Sequence, residues 1–174
     1  MPQSDFESAL VRARKIEQAV ATWLMARGSS ILPVYDYSGL GANKAPKLQA
    51  FSASESLVTP DLLVARRGVT CWLEVKWKSH AFHFRKRNEF ETGIDLRLFR
   101  QYQRVREITG CKVWIVFAHR DENVVTCNEI GELDAMPSKR VSQWGSDGHP
   151  PMINWPLRHL HRLAEYAQII PEAA

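Results

Sequence analysis

Cysteine is scarce and unpatterned. Cys71, Cys111 and Cys127 are odd in number and form no C-x-x-C pair, which excludes a secreted disulfide scaffold and a cysteine-based zinc site. Apolar runs are short: the best, Val113 to Ala118, is far below the roughly 18 residues of a membrane span. The opening Met1-Pro2-Gln3-Ser4-Asp5 has neither the basic nor the apolar region of a signal peptide. Gly39-Leu40-Gly41 completes neither the dinucleotide pattern nor the G-K-[ST] ending of a P-loop, and no G-x-S-x-G elbow occurs. His80 with His83, and His159 with His161, have no third ligand at zinc spacing. These absences lead us to expect a soluble, cytoplasmic chain with no membrane partner.

What is present suits one ordinary domain. The 174 residues are 45% hydrophobic, enough for a core that needs no staples, and no repeat or linker divides them. The net charge of +4 is modest, but its placement is uneven. Between Arg66 and Glu107 stand 11 Lys or Arg against 5 acids, a local surplus larger than that of the whole chain. A concentrated basic segment suits an anionic partner, nucleic acid first among them, although a solvated basic face has the same composition.

Ser4 to Glu7 fits a capping box, and Phe6, Leu10, Ala13, Ile16, Val20, Trp23 and Leu24 then recur at helical spacing up to Gly28. Ile31 to Tyr37 reads as a strand. Ser38 to Thr59, with Gly39, Gly41, Asn43 and Pro46, reads as a long loop. Asp61 to Ala65 and Val69 to Trp77 read as strands of a hairpin turning at Arg67-Gly68. Ser79 to Gly93 is basic and aromatic without a period. Leu96, Phe99, Tyr102, Val105 and Ile108 mark a second helix stopped by Gly110. Lys112 to Ala118 reads as a central strand buried on both faces. Val124 to Cys127 and Met152 to Trp155 are short strand candidates, Pro137 to Pro151 a loop, and Pro156 suits the first turn of a helix through Ala167.

Three acids and a lysine stand out. Glu74 and Lys76 lie two apart on one strand and so project to the same side. A turn at Arg67-Gly68 sets Asp61 opposite Glu74 across the ladder, with Cβ atoms about 4.5–5.5 Å apart. Like charges at that spacing repel, and a hard divalent cation held by one or two carboxylates plus waters relieves them. Glu17 sits inside the apolar stripe of the first helix, about 20° from Leu10 and Leu24, about 40° from Ala13 and about 60° from Val20 at 100° per residue. A carboxylate there is costly unless paired or metal-bound. Each feature alone has a bland reading: an exposed E-x-K pair, a turn-forming Asp after Pro60, a Glu at the edge of a stripe. Their joint occurrence in this order favours a metal-dependent site.

Pro60-Asp61 followed by Glu74-Val75-Lys76 across a short hairpin resembles the signature of the PD-(D/E)xK nuclease superfamily, which covers restriction endonucleases, Holliday junction resolvases and recombination exonucleases. The order of elements, helix, three strands, helix, strand, is similar to that family's α-β-β-β-α-β core. The resemblance implies an α/β fold with a restriction-endonuclease-like core over about residues 5–119. A central mixed sheet flanked by helices is expected there, with a less regular extension, 120–174, that ends in a helix. It implies Mg²⁺-dependent hydrolysis of DNA phosphodiester bonds, with Mn²⁺ as a substitute. Asp61, Glu74, the backbone carbonyl of Val75 and, through water, Glu17 would serve as metal ligands, and Lys76 would orient or deprotonate the attacking water. A lysine acts as base only if desolvation or positive neighbours lower its pKa. Gln101, Tyr102 and Gln103 are open candidates for the accessory side chain that many members carry on the second core helix. A small nuclease of this kind fits DNA recombination, repair or replication in a phage or mobile element, and leaves a homo-oligomer open.

Around this core, Lys44, Lys47, Lys78, Arg85, Lys86, Arg87, Arg97, Arg100 and Arg104 are candidates for phosphate contacts, which give affinity without sequence information. Phe82, Phe84, Phe90 and Trp77 interleave with the bases, either to stack on unpaired nucleotides or to pin the segment to the core. The alternative functions are a non-catalytic nucleic-acid-binding protein on the same fold and a protein-interaction domain using the acidic segment from Arg120 to Asp134.

Overall fold

The computed structural model describes residues 3–34, 47–49, 56–142 and 150–170, with side chains from residue 11 onward. Helix α1 runs Gln3–Met25. It closes through Gly28, whose φ of 84° lets the Ser29 N–H reach the Leu24 carbonyl (3.2 Å) and the Gly28 N–H reach that of Met25 (2.9 Å). The capping box predicted at Ser4 lies among side chains outside the described set. Strand β1 (Ser30–Pro33) follows, then a ribbon of β2 (Lys47–Gln49) and β3 (Ser56–Val58) within the segment expected to be loop. The remainder of that segment, with Lys44, and positions 35–37 of the predicted first strand lie outside the described residues.

Strands β4 (Leu62–Arg66) and β5 (Val69–Lys78) form the predicted hairpin. Arg67 and Gly68 both take positive φ, 49° and 78°, the two-residue turn that matches the strand twist. The observed register pairs Leu62 with Leu73 and Arg66 with Val69, as a turn at those two residues requires. After β6 (Phe82–Phe84) and β7 (Glu89–Asp95), α2 spans Leu96–Thr109. Asp95 caps its start by accepting the Arg97 N–H at 2.6 Å, and Gly110 (φ 64°) ends it. Then come β8 (Lys112–His119), β9 (Val124–Glu129), α3 (Ile130–Ala135), β10 (Arg140–Val141), β11 (Met152–Pro156), a 3₁₀ turn (Leu157–His159), β12 (Arg162–Ala164) and α4 (Tyr166–Ile169).

A six-stranded mixed sheet carries the order β1-β4-β5-β8-β9-β12, in which only β5 and β8 run parallel. One face packs on α1 through Ile16, Val20, Leu62, Val64, Leu73 and Val75. The other meets α2 and α3 through Phe99, Tyr102, Val105, Ile115, Phe117 and Ile130, with Trp155 buried among them. A second sheet, β10-β11-β7-β6, joins β6 and β7, inserted between β5 and α2, to β10 and β11 from the C-terminal part of the chain. The α-β-β-β-α-β core with a central mixed sheet therefore stands, elaborated by β2 and β3 and by β6 and β7.

Two expectations are corrected. The aperiodic stretch from Ser79 to Gly93 contains two strands. The helix predicted from Pro156 to Ala167 does not form: Pro156 ends β11, and only Tyr166–Ile169 is α-helical. Trp155 explains the second correction, because its fully buried ring and its indole N–H, which donates to the Leu133 carbonyl at 2.9 Å, hold the chain extended up to Pro156.

Candidate active site

β4 begins at Leu62, so among the described residues β5 from Glu74 to Lys78 is paired with β8 only. No described strand pairs with its other edge there, and the N–H of Val75 takes its acceptor from elsewhere. Asp61 provides it. Its carboxylate Oδ2 accepts the Val75 N–H at 2.8 Å in a buried position, while its own carbonyl accepts the Val34 N–H at 2.9 Å. Asp61 immediately precedes Leu62, whose partner is Leu73, so its side chain reaches β5 next to Glu74.

Alternation along β5 sends Leu73 and Val75 into the α1 core and Glu74 and Lys76 to the other side. Glu74 is 2% exposed, and its Oε1 is held by the Lys76 ammonium. Glu17, 9% exposed on α1, shares the field of Glu74, Lys76 and Asp61. Helix, strand end and central strand so bring three acids around one lysine.

Burial first, and then the Glu74 charge, push the Glu17 carboxyl up to about 7, against the pull of Lys76 and Arg14. Asp61 is raised well above the ordinary carboxylate range by burial and by Glu74 and Glu17, with Lys76 and the Val75 N–H acting the other way. Burial works against the Lys76 charge, but Glu74, Asp61 and Glu17 outweigh it and hold the ammonium above its usual value. These neighbouring acids favour the charged form of Lys76.

The divalent ion that the sequence implies calls for hard oxygen donors. Among the described residues, no three Asp, Glu, His or Cys side chains are placed to hold a metal ion together. The donors beside Lys76 are the hard carboxylate oxygens of Glu74 on β5 and of Asp61 just before β4, with one oxygen of Asp61 committed to Val75. Two carboxylates completed by waters are a donor set that Mg²⁺ takes, since it seldom occupies an all-protein cage, and by donor chemistry these residues suit it.

The accessory candidates separate. Tyr102 is fully buried in the α2 core, Gln103 is half-buried, and Gln101 Oε1 accepts the Val58 N–H at 3.0 Å. Gln101 thereby ties α2 to β3, the strand that leads through Thr59 and Pro60 to Asp61. The basic candidates fall on separate elements. Lys47 is exposed on β2; Arg85, Lys86 and Arg87 form the β6–β7 turn; Arg97, Arg100 and Arg104 are exposed on α2. Arg104 is also paired with Glu107 at 2.9 Å. Lys78 ends β5, its pKa lowered by burial and by Lys76.

His119 went unnoticed in the sequence. It pairs with Lys78 across the parallel ladder, is fully buried, and its ring nitrogens meet no hydrogen-bond partner. Burial pushes it down to about 4, so it is neutral. Its place at the end of an otherwise apolar strand is the only signal the sequence offers.

No family model matches this chain, and no curated protein matches it. Among solved structures, the Holliday junction resolvase Hjc of the archaeal hyperthermophile Archaeoglobus fulgidus superposes with a TM-score of 0.52 at 10% identity, covering 94% of this chain and 98% of the resolvase. A nuclease from a fusselovirus gives 0.47 at 11% identity, covering 94% of this chain and 89% of its own. The overlap with the resolvase takes in nearly the whole of both chains, and the shared feature is the fold: this protein has the restriction-endonuclease-like architecture.

Proposed function

We propose that the protein is a divalent-metal-dependent nuclease that hydrolyses DNA phosphodiester bonds at Asp61, Glu74 and Lys76, with Glu17 at the margin of the site. The observation that carries this reading is the buried Asp61 carboxylate, bound through Oδ2 to the Val75 N–H at 2.8 Å, on the strand where Lys76 holds Glu74, with burial and neighbouring charge raising Asp61 and Glu17. Perturbed carboxyls gathered with a lysine in this way mark candidate functional sites. The fold shared with a DNA resolvase and the basic residues on β2, the β6–β7 turn and α2 support DNA as substrate.

Asp61 and Glu74, with the Val75 carbonyl, would hold Mg²⁺ or Mn²⁺, and Glu17 would reach it through water. Bound there, the ion would polarise the scissile phosphate and lower the pKa of a water. Lys76 would orient the attacking water or take its proton, and as an ammonium it would stabilise charge that develops on the phosphate oxygens. Gln101 acts at a distance, fixing β3 and hence the approach to Asp61.

The test is cleavage of duplex, single-stranded and branched DNA with Mg²⁺, Mn²⁺ or EDTA. Asp61→Asn and Glu74→Gln are expected to lose about a hundredfold or more in rate while DNA binding persists. Wild-type turnover in the double variant refutes the site. DNA binding without cleavage under either metal would instead establish the non-catalytic reading.

A further inference from the structure

The four aromatics interleaved with bases from Trp77 to Phe90 divide into two kinds. Trp77 belongs to the α1 core, its indole N–H donating to the Tyr166 hydroxyl at 3.2 Å and Arg12 lying over its ring. Phe84 is half-buried beneath the Arg140 guanidinium, 4.2 Å from the ring centre. These two pin the segment. Phe82 and Phe90 do the opposite: they are 58% and 53% exposed, the only large aromatics so exposed among the described side chains. A single exposed ring needs no explanation, but two on one short hairpin with a basic turn do.

We infer that the edge hairpin β6–β7 binds a single-stranded stretch of DNA that passes round it, with Phe90 beside His83 on one face and Phe82 on the other as stacking surfaces, and Arg85 and Lys86 at the turn holding the phosphates. The inference rests on the nuclease reading only in taking DNA as the ligand. Phe90 faces His83 across the ladder, ring centres 5.2 Å apart, and His83 Nε2 lies 3.1 Å from Asn88 Oδ1, so the ring is held in place before any ligand arrives. Two clefts of about 710 and 520 Å³ meet at Phe90 and Glu122. The first follows edge strand β6 past Arg85 and Lys86; the second is lined by Arg158 and Arg162. Basic groups on both sides of an aromatic divider suit a chain of phosphates that carries bases. Of the acids on this path, Glu89 is paired with Arg158 at 2.9 Å, and Glu122 accepts the Ala81 N–H through Oε1 at 2.8 Å while its Oε2 meets no hydrogen-bond partner among the described residues.

A duplex hides its base faces, so stacking on a protein ring requires unpaired nucleotides. The position is apt. β6 begins just past Lys78, the end of the E-x-K strand, and the joint is fastened where the Arg120 and Asp121 N–H groups donate to the Lys78 and Ser79 carbonyls at 3.1 and 2.9 Å. A strand stacked on the hairpin is therefore carried by an element rigidly continuous with the site.

The experiment is equilibrium binding of a fluorescent oligothymidylate and of a blunt duplex to the intact protein in EDTA, where nothing is cleaved. Phe82→Ala with Phe90→Ala should weaken oligothymidylate binding about tenfold or more while duplex binding stays within about twofold, and Phe90→Trp should retain tight binding. Arg85→Ala with Lys86→Ala should weaken both ligands and flatten their salt dependence. No oligothymidylate binding by the wild type, an unaltered affinity in the double Phe variant, or an equal loss for both DNAs would overturn the inference. So would a Phe90→Ala change that alters only sedimentation, which would make the face a contact between copies of the chain. Because the readout needs no metal, absence of cleavage leaves it intact, and its own failure leaves the Glu74 cleavage test intact.

Discussion

Glu17→Gln isolates the electrostatic cost of the acid cluster. A carboxyl raised from 4.5 to about 7 in a side chain only 9% exposed binds its proton more tightly in the folded protein than in the unfolded chain. Its contribution to stability is therefore complete below about pH 4.5 and is lost as pH rises through about 7. The gap corresponds to about 3 kcal/mol at pH 8 and under about 1 kcal/mol at pH 5. Removing the ionisable group should stabilise the protein by those amounts, which for a chain of this size is roughly 6–10 °C in Tm at pH 8 and roughly 2 °C at pH 5. Thermal unfolding of both proteins in EDTA at the two pH values, at fixed ionic strength, measures the difference. Mg²⁺ should stabilise the wild type more at pH 8 than at pH 5, since the ion binds the deprotonated acids. Equal Tm values for variant and wild type at pH 8 would refute the claim that Glu17 is a strained, buried acid.

Two further substitutions test the scaffold. Glu91 is 1% exposed and is held by Arg140 through Nη2 at 2.7 Å and Nε at 3.1 Å. Arg140→Ala strands a buried charge and should cost about 3–5 kcal/mol in urea unfolding, with Arg140→Lys intermediate because it keeps the charge and loses the fork. Gly93 pairs with Asn154 between β7 and β11, and a Cβ there would collide with the Ile153 carbonyl and the Asn154 side chain. Gly93→Ala should lower Tm by several degrees, with the change located to the second sheet by hydrogen exchange.

What the sequence reveals here follows the range of the forces involved. The hairpin register is legible because the turn at Arg67-Gly68 and a period of two determine it locally. Helix α2 is legible because stripe and caps agree. β6 and β7 are not, since β7 buries Glu89 and Glu91, acids made tolerable by Arg158 and Arg140 from far along the chain. No binary pattern registers a partner 49 residues away. The site divides in the same way. Glu17 stands out on its stripe and Glu74 opposite Asp61 in the register, but the protonation of Lys76 depends on three elements meeting.

Asp61 is the instructive case, because its second task is invisible in the motif. β4 begins too late to satisfy the Val75 N–H, so the carboxylate next to Glu74 also completes the sheet. Removal of that side chain as Ala would orphan a buried donor, a loss of about 1–3 kcal/mol, and would confuse damage to the strand with damage to the chemistry. Asn keeps an oxygen for Val75 and discards the charge. A cleavage defect in Asp61→Asn with unchanged unfolding would therefore belong to the charge itself, whereas a defect seen only in Asp61→Ala would belong to the sheet.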